Sequence, residues 1–309
     1  MTLLTPEDVY IQIEQNQSLH RADLSCIDLQ NRCLDRAQFL AVHLQQANLN
    51  GASCRDSDFR QALLQQAMLT AVDFTAANLV AAQLNHADLT RAALEGVHAR
   101  QASFYSAILD SVNFHQADLM GADLRQVQGQ ATNFTAARLD EALLTSAQLA
   151  RSTFNGANLL RTNLTGAILT ETQWLKANLG WANLCCADLT DADFTNADLT
   201  ASCCRAANLS LVQLVNIEAI KADFAQAIFL EANLSYSSLF GANLSGAYLT
   251  GVNLRGTNLQ QANLANTAWD QVDLTQAQLQ GAIFSHAQGL TASQKAWLRK
   301  EGALDVPNG

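Results

Sequence analysis

The stretch ADLTDADFTNADLT (187–200), and further on GANLSGAYLTGVNLRGTNL (241–259), spells one five-residue unit, A-(D/N)-L-x-x. Read outward in both directions, the beat holds from Asp23 to Ile283 without a register shift. Residues whose numbers end in 4 or 9, from Leu24 to Phe284, are nearly all Leu or Phe. Trp174 and Trp269 are larger exceptions, and Cys54, Cys204, Ala99 and Ala219 smaller ones. Gly129 alone has no side chain to bury. Two places before each sits a small residue, such as Ala22, Ala47, Ala87 or Ala187, with a polar residue between. A short repeat of fixed period means one stacked architecture.

A period of five excludes the two simplest structures. On an α-helix the Leu positions would spiral round the cylinder and make no stripe. On a continuous strand an odd period would turn alternate Leu side chains to opposite faces. The pattern works when each unit is a very short strand followed by a turn, so that the small residue and the Leu both point inward. Gly51, Gly121, Gly156, Gly166, Gly241, Gly246, Gly251 and Gly256 recur at the second turn residue, where a type II turn requires positive φ. The chain must therefore coil. Phe74, Phe114, Phe134, Phe154, Trp174 and Phe194 are separated by multiples of twenty, which predicts four units per coil and an internal aromatic column.

These residues resemble the pentapeptide repeat family, abundant in cyanobacteria, over residues 19–289. The resemblance implies an all-β fold: a right-handed quadrilateral β-helix of about 13 coils. Short helices are expected as caps, in segments 1–18 and 290–309. Thr5, Pro6 and Asp8 carry N-terminal signals for a helix over about 6–16. Thr291 or Ser293 can cap a second helix bearing Trp297 and Leu298, with the tail after Ala303 frayed. Open rung edges need such covers.

Composition narrows function by exclusion. No stretch approaches the roughly 18 apolar residues of a membrane span, and MTLLTPEDVY does not read as a signal peptide. Seven cysteines, an odd number, suit a reduced cytoplasmic protein. Cys185, Cys186 and Cys203 fall on one side of adjacent coils, but with Cys204 turned inward the four thiols diverge, so no zinc site is expected. His20, His43, His86, His98, His115 and His286 form no triad or HExxH spacing, and no phosphate loop is present. Gly129 is expected to leave a small void between Leu109 and Leu149, or to draw Val127 inward. No catalytic residue, cofactor or metal is assigned.

The net charge of −10 and pI near 4.9 raise a second possibility. A branch of the family that this chain resembles is proposed to mimic duplex DNA and to bind gyrase. Such a mimic needs regularly spaced carboxylates in place of phosphates. Here Asp58, Asp73, Asp88, Asp118, Asp123, Asp188, Asp193, Asp198 and Asp223 scatter over all four sides, with Arg between them. Direct nucleic-acid binding is not expected.

One line of residues is less polar than solvent requires: Leu40, Val80, Met120, Leu160, Ile220 and Phe240, taken just after the core position, with Trp181 beside them. All are expected to face solvent. Large apolar groups mixed with Arg60 and Arg100 suit an interface. A neighbouring line, Thr70, Thr90, Asp110, Gln130, Ala150, Thr170, Thr190 and Ser210, reads as solvated surface. The sequence thus predicts a non-enzymatic, cytoplasmic, monomeric scaffold that binds a protein partner, with a DNA mimic as the alternative.

Overall fold

The structure is a computed structural model and describes residues 4–15 and 17–308. The chain forms two compact units, Met1–Asn158 and Leu159–Gly309. Both follow one rule, which begins at the corners of the coil.

Each corner is a β-turn. The amide of Ala22 donates to the carbonyl of Leu19 at 3.0 Å, and that of Ala187 to Leu184 at 3.1 Å. The third residue of the turn is left-handed whether or not it is glycine: φ is +65° at Gly121, but also 55° at Arg21 and 54° at Trp181. A side chain there costs about 1–2 kcal/mol, so the recurrent glycines relieve strain that the other corners accept.

Between corners the polar middle residue pairs in parallel with the residue twenty places on. Asp23 bridges His43 and His43 bridges Leu63 in the first unit; Asn163 bridges Asn183 and Asn183 bridges Cys203 in the second. Four units therefore make one coil. Among the described residues, pairing widens to three residues in β1 (Tyr248–Thr250) and β2 (Ala268–Asp270), which are parallel with Leu249 opposite Trp269. The preference for Asp or Asn at the middle position has a local cause. Its side chain accepts the amide two residues on, as Asp88 does from Thr90 at 2.9 Å and Asn163 from Thr165 at 3.1 Å. This holds the strand end into the turn. Uncharged ladders also form, with Asn133 donating to Asn113 at 2.9 Å.

The interior is apolar and rich in stacked aromatic rings. In Met1–Asn158, Phe114 stacks on Phe134 with centroids 5.1 Å apart, and Phe134 on Phe154 at 4.8 Å. In Leu159–Gly309, Trp174 stacks on Phe194 at 5.2 Å. An indole needs an acceptor when buried. The residue two before each buried Trp is accordingly a Thr in place of Ala. Trp174 Nε1 donates to Thr172 Oγ1 at 2.8 Å, and Trp269 Nε1 to Thr267 Oγ1 at 2.7 Å. Those hydroxyls in turn donate to Leu169 and Leu264 carbonyls. The space beside Gly129 is filled by its neighbours. An added Cβ would meet Thr132 Oγ1 at 2.7 Å, Leu109 Cβ at 3.0 Å and Leu149 Cδ2 at 3.1 Å. The neighbours close in because close packing leaves no partner-free gap.

Helix α1 (Pro6–Glu14) starts with the anticipated capping box, Thr5 with Asp8, and ends before the predicted limit; residue 16 lies outside the described residues. The backbone amide of Thr5 holds the Asp8 carboxyl below the usual carboxylate range. Helix α2 (Ala292–Lys300) is capped by Thr291, with Gln294 completing the box. The tail beyond it is not frayed as the sequence suggested. Leu304 bridges Ile283, its amide donates to Ala282 at 2.7 Å, and its carbonyl accepts from Phe284 at 3.0 Å. Arg299 also donates to the Pro307 carbonyl at 2.9 Å. The last coil otherwise presents unpaired amides, and the returning chain satisfies them.

Candidate interaction surfaces

The coil geometry decides which side chains meet on its outside. A residue just after the core position touches the middle residue eighteen places on, one coil away. Arg55 reaches Asp73 at 2.8 Å, Arg100 reaches Asp118 at 2.6 Å, and Asn208 reaches back to Thr190 at 2.8 Å. Some post-core side chains therefore reach along the coil axis, whereas Arg60 and Arg125 turn to the middle residue two places before them.

The line expected to face solvent is only partly exposed. Leu40, Val80 and Met120 in the first unit, and Leu160, Ile220 and Phe240 in the second, are all half-buried. Leu160 lies over the buried Gly180, where an added Cβ would come within 3.3 Å of its Cδ1. Trp181 is different: it is 60% exposed and sits at a left-handed corner. A bulky side chain there costs conformational energy and buries little in return, so packing does not account for it. Tyr236 occupies a similar corner but lies over Gly256, where an added Cβ would meet its ring at 2.8 Å.

The line read as solvated surface holds the stronger feature. In Leu159–Gly309, Leu211, Ile228, Leu230 and Tyr248 come together on three successive coils, each exposed, Tyr248 by 58% and Leu230 by 44%. Leu211 donates its amide to the Leu230 carbonyl at 2.7 Å. Ile228 bridges Tyr248, and these two line a shallow apolar groove with Leu230 and Thr250. Glu171, Asp188, Asp191, Glu231 and Asp270 occur on this side of the unit, at residues 167–171, 187–191, 227–231 and 267–271; no Lys or Arg does at any of its coils. The signal was available in the sequence. Following the Thr70–Ser210 line one step further gives Leu230, and the middle positions beside it give Ile168, Ile228 and Tyr248.

The acidic residues weighed as phosphate substitutes are mostly occupied. Arg60 holds Asp58 through two bonds of 2.8 and 2.7 Å and depresses its carboxyl. Arg125 grips Asp123 the same way, at 2.8 and 2.7 Å. Asp73, Asp118 and Asp223 face Arg55, Arg100 and Arg205. Asp88, Asp188, Asp193 and Asp198 accept turn amides. Among the described residues no three His, Cys, Asp or Glu side chains are grouped to hold a metal ion. No helix among them is long and apolar enough to cross a membrane.

Comparison with known families agrees with this geometry. The family described as pentapeptide repeats matches in eight copies, at residues 52–91, 87–126, 132–170, 177–216, 220–256 and 257–288. The chain belongs to the pentapeptide repeat family. Among solved structures this pentapeptide repeat protein is similar to HetL, a family member involved in heterocyst differentiation regulation from the cyanobacterium Nostoc sp. strain PCC 7120. Identity is 25%, over 91% of this chain and 97% of HetL, with a TM-score of 0.30. It is similar to trypsin-treated QnrB1, a plasmid-mediated fluoroquinolone resistance protein, at 22% identity over 67% of this chain and 94% of that one, TM-score 0.30. Rfr23 from the cyanobacterium Cyanothece 51142 matches at 22% identity over 45% of this chain and 91% of its own, TM-score 0.19. Superpositions this weak carry no functional argument. No curated protein matches the chain.

One pair of cysteines departs from the sequence reading. Cys185 and Cys203 are joined as a disulfide across adjacent coils, with Cα atoms 5.8 Å apart. Cys26, Cys33 and Cys186 are free and exposed; Cys54 and Cys204 are free and buried. The expected divergence holds for Cys204, which faces the core, but Cys185 and Cys203 stand at the two positions that meet.

Proposed function

We propose that this protein is a non-enzymatic scaffold that holds a protein partner against the Leu211, Ile228, Leu230 and Tyr248 patch. The observation that carries the reading is the exposed apolar cluster on a side that, within Leu159–Gly309, has acidic and no basic residues. Apolar anchors within a charged rim are the usual anatomy of an interface. The partner best suited to it presents a large apolar side chain flanked by Lys or Arg. The line Leu40, Val80, Met120, Leu160, Ile220, Phe240 remains a second proposed surface, with Trp181 as its anchor. The solenoid over 19–289 is proposed as about 13 right-handed coils, between end segments 1–18 and 290–309 whose helices cap it. We place the protein in the cytoplasm, a reading supported by its exposed free thiols and opposed by the Cys185–Cys203 bond, and read it as a monomer.

The test uses the full-length chain as bait in an extract of its native organism, followed by affinity measurement with the partner so identified. Leu230→Ser with Tyr248→Ala should weaken that complex by about tenfold or more, the scale of one hot-spot truncation. Thr165→Ala with Thr195→Ala, on other sides of the second unit, should leave it unchanged. Equal effects from both pairs would remove the patch from consideration.

The acidic-mimic alternative predicts inhibition of gyrase supercoiling that fades in Asp118→Asn with Asp198→Asn. The scaffold reading predicts no inhibition, because Asp118 is already compensated by Arg100 and Arg138, and Asp198 is engaged by the Thr200 amide.

A further inference from the structure

We propose that Cys185 and Cys203 form a reversible thiol–disulfide site, closed by exchange with a small disulfide such as glutathione disulfide and opened by the corresponding thiol. The argument rests on the same contact rule that pairs Arg with Asp elsewhere. Post-core and middle residues eighteen places apart meet: Arg55 with Asp73, Arg100 with Asp118, Arg205 with Asp223. Of the seven cysteines, Cys185 and Cys203 are the one pair holding those two positions at that spacing. Cys186 and Cys204 share the spacing but stand at a corner and in the core.

The backbone around the pair is already fixed. Leu184 donates to the Cys203 carbonyl at 2.6 Å and Cys203 to the Ala182 carbonyl at 2.9 Å. The amide of Cys185 is held by Asn183 Oδ1 at 3.0 Å. A Cα separation of 5.8 Å lies inside the range a disulfide spans, so the bond can close and open without moving the coil. Both residues are half-buried, within reach of a small reagent.

The chemistry is a two-step exchange. The Cys185 thiolate attacks one sulfur of glutathione disulfide, forms a mixed disulfide and releases one glutathione thiolate. The Cys203 thiolate then attacks Cys185 Sγ, and the second glutathione thiolate leaves. Two protein thiols are oxidised, one glutathione disulfide is reduced to two glutathiones, and the two thiol protons pass to the departing thiolates. The second step is intramolecular, which favours closure over a lasting mixed disulfide.

The molecule contains its own controls. Cys26, Cys33 and Cys186 are exposed but face no thiol at a meeting position. Burial pushes the Cys204 thiol up to about 12 and raises that of Cys54 well above its ordinary range, which removes both from exchange. The test starts from fully reduced, full-length protein titrated with mixtures of oxidised and reduced glutathione. Trapped samples are cleaved at Asp residues, since Cys185 and Cys203 share one tryptic peptide, and mapped by mass spectrometry. The expected result is a Cys185–Cys203 cross-link, with single glutathione adducts on Cys26, Cys33 and Cys186. The cross-link should withstand about tenfold more reduced glutathione than the adducts do. Cys203→Ser should turn Cys185 into an adduct site like Cys26, whereas Cys186→Ser should leave the cross-link intact; circular dichroism verifies that both variants are folded. Stable glutathione adducts on Cys185 and Cys203 in the unmodified chain, or a cross-link through Cys186, would overturn the proposal.

Discussion

In Met1–Asn158, Val80 and Met120 alternate along their line with Arg60 and Arg100, and those arginines are tied to Asp58 and Asp118. In Leu159–Gly309 the same register carries Ile220 followed by Phe240, with Trp181 beside Gly180, and another side bears Leu211, Ile228, Leu230 and Tyr248. Every basic residue of the first unit is an arginine, whose planar fork suits carboxylates. The interiors do not share this contrast. Both units are filled by the same Leu, Phe and Ala positions at essentially zero exposure. A repeat lattice separates the two problems: inward positions satisfy packing, and outward positions are free to differ. What distinguishes the units is therefore surface, and function should be sought there.

The largest effect tests the equality of the interiors. Phe134→Ala in the first unit and Trp174→Ala in the second each remove a stacked, fully buried ring. Each should lower stability by about 3–5 kcal/mol in denaturant unfolding. A difference of more than about twofold between them would show that the two cores are not equivalent.

Next comes the contrast of surfaces. If the complex engages the second proposed surface, Trp181→Ala with Phe240→Ala should weaken it by about tenfold at nearly unchanged melting temperature. Val80→Ser with Met120→Ser in the first unit should leave affinity alone. If the first-unit pair matters as much, the contrast drawn between the units fails, and the line of post-core residues is one interface.

Much of this was legible in the sequence, for a physical reason. An odd, short period admits few geometries, so the coil, the corner glycines and the aromatic stacking followed from spacing. The surface was less legible because exposure depends on where a side chain leans. Leu40 and Met120 looked solvent-facing by alternation alone but are half-buried, and Leu160 on the same line lies over Gly180. Leu230 was missed because its line is polar for most of its length. The bond between Cys185 and Cys203 required the eighteen-residue contact rule, which no inward or outward assignment contains.

A smaller effect probes how polar groups enter the apolar interior. Thr172→Val keeps the shape of the side chain but strands the Trp174 indole N–H. Thr132→Val in the first unit removes a hydroxyl that donates to the Leu109 carbonyl at 2.8 Å, and leaves no donor orphaned. The first should cost about 1–3 kcal/mol and the second less, because an unmade buried donor carries its full desolvation penalty. The reverse order in calorimetry would mean that water reaches the indole.

The smallest effect concerns acid. Arg60 beside Asp58 holds that carboxyl below its usual range. Asp123 is also lowered on balance: burial opposes the shift, and the bonds from Arg125 outweigh it. A carboxyl lowered by folding binds its proton less readily in the native state than in the unfolded one. Its stabilising contribution is therefore complete above the unfolded value of about 4 and disappears as pH falls through the native one. The partners are arginines about half exposed to solvent, so each pair is worth only ~0.2–1 kcal/mol. Arg60→Gln with Arg125→Gln should flatten the acid limb of a stability–pH curve between about pH 5 and 3, and added salt should shrink the difference. The corresponding change in the second unit, Arg205→Gln, removes a longer contact of 3.3 Å to Asp223 and should alter the curve less. A larger acid effect from Arg205→Gln than from the first-unit pair would reverse the electrostatic half of the comparison between the units.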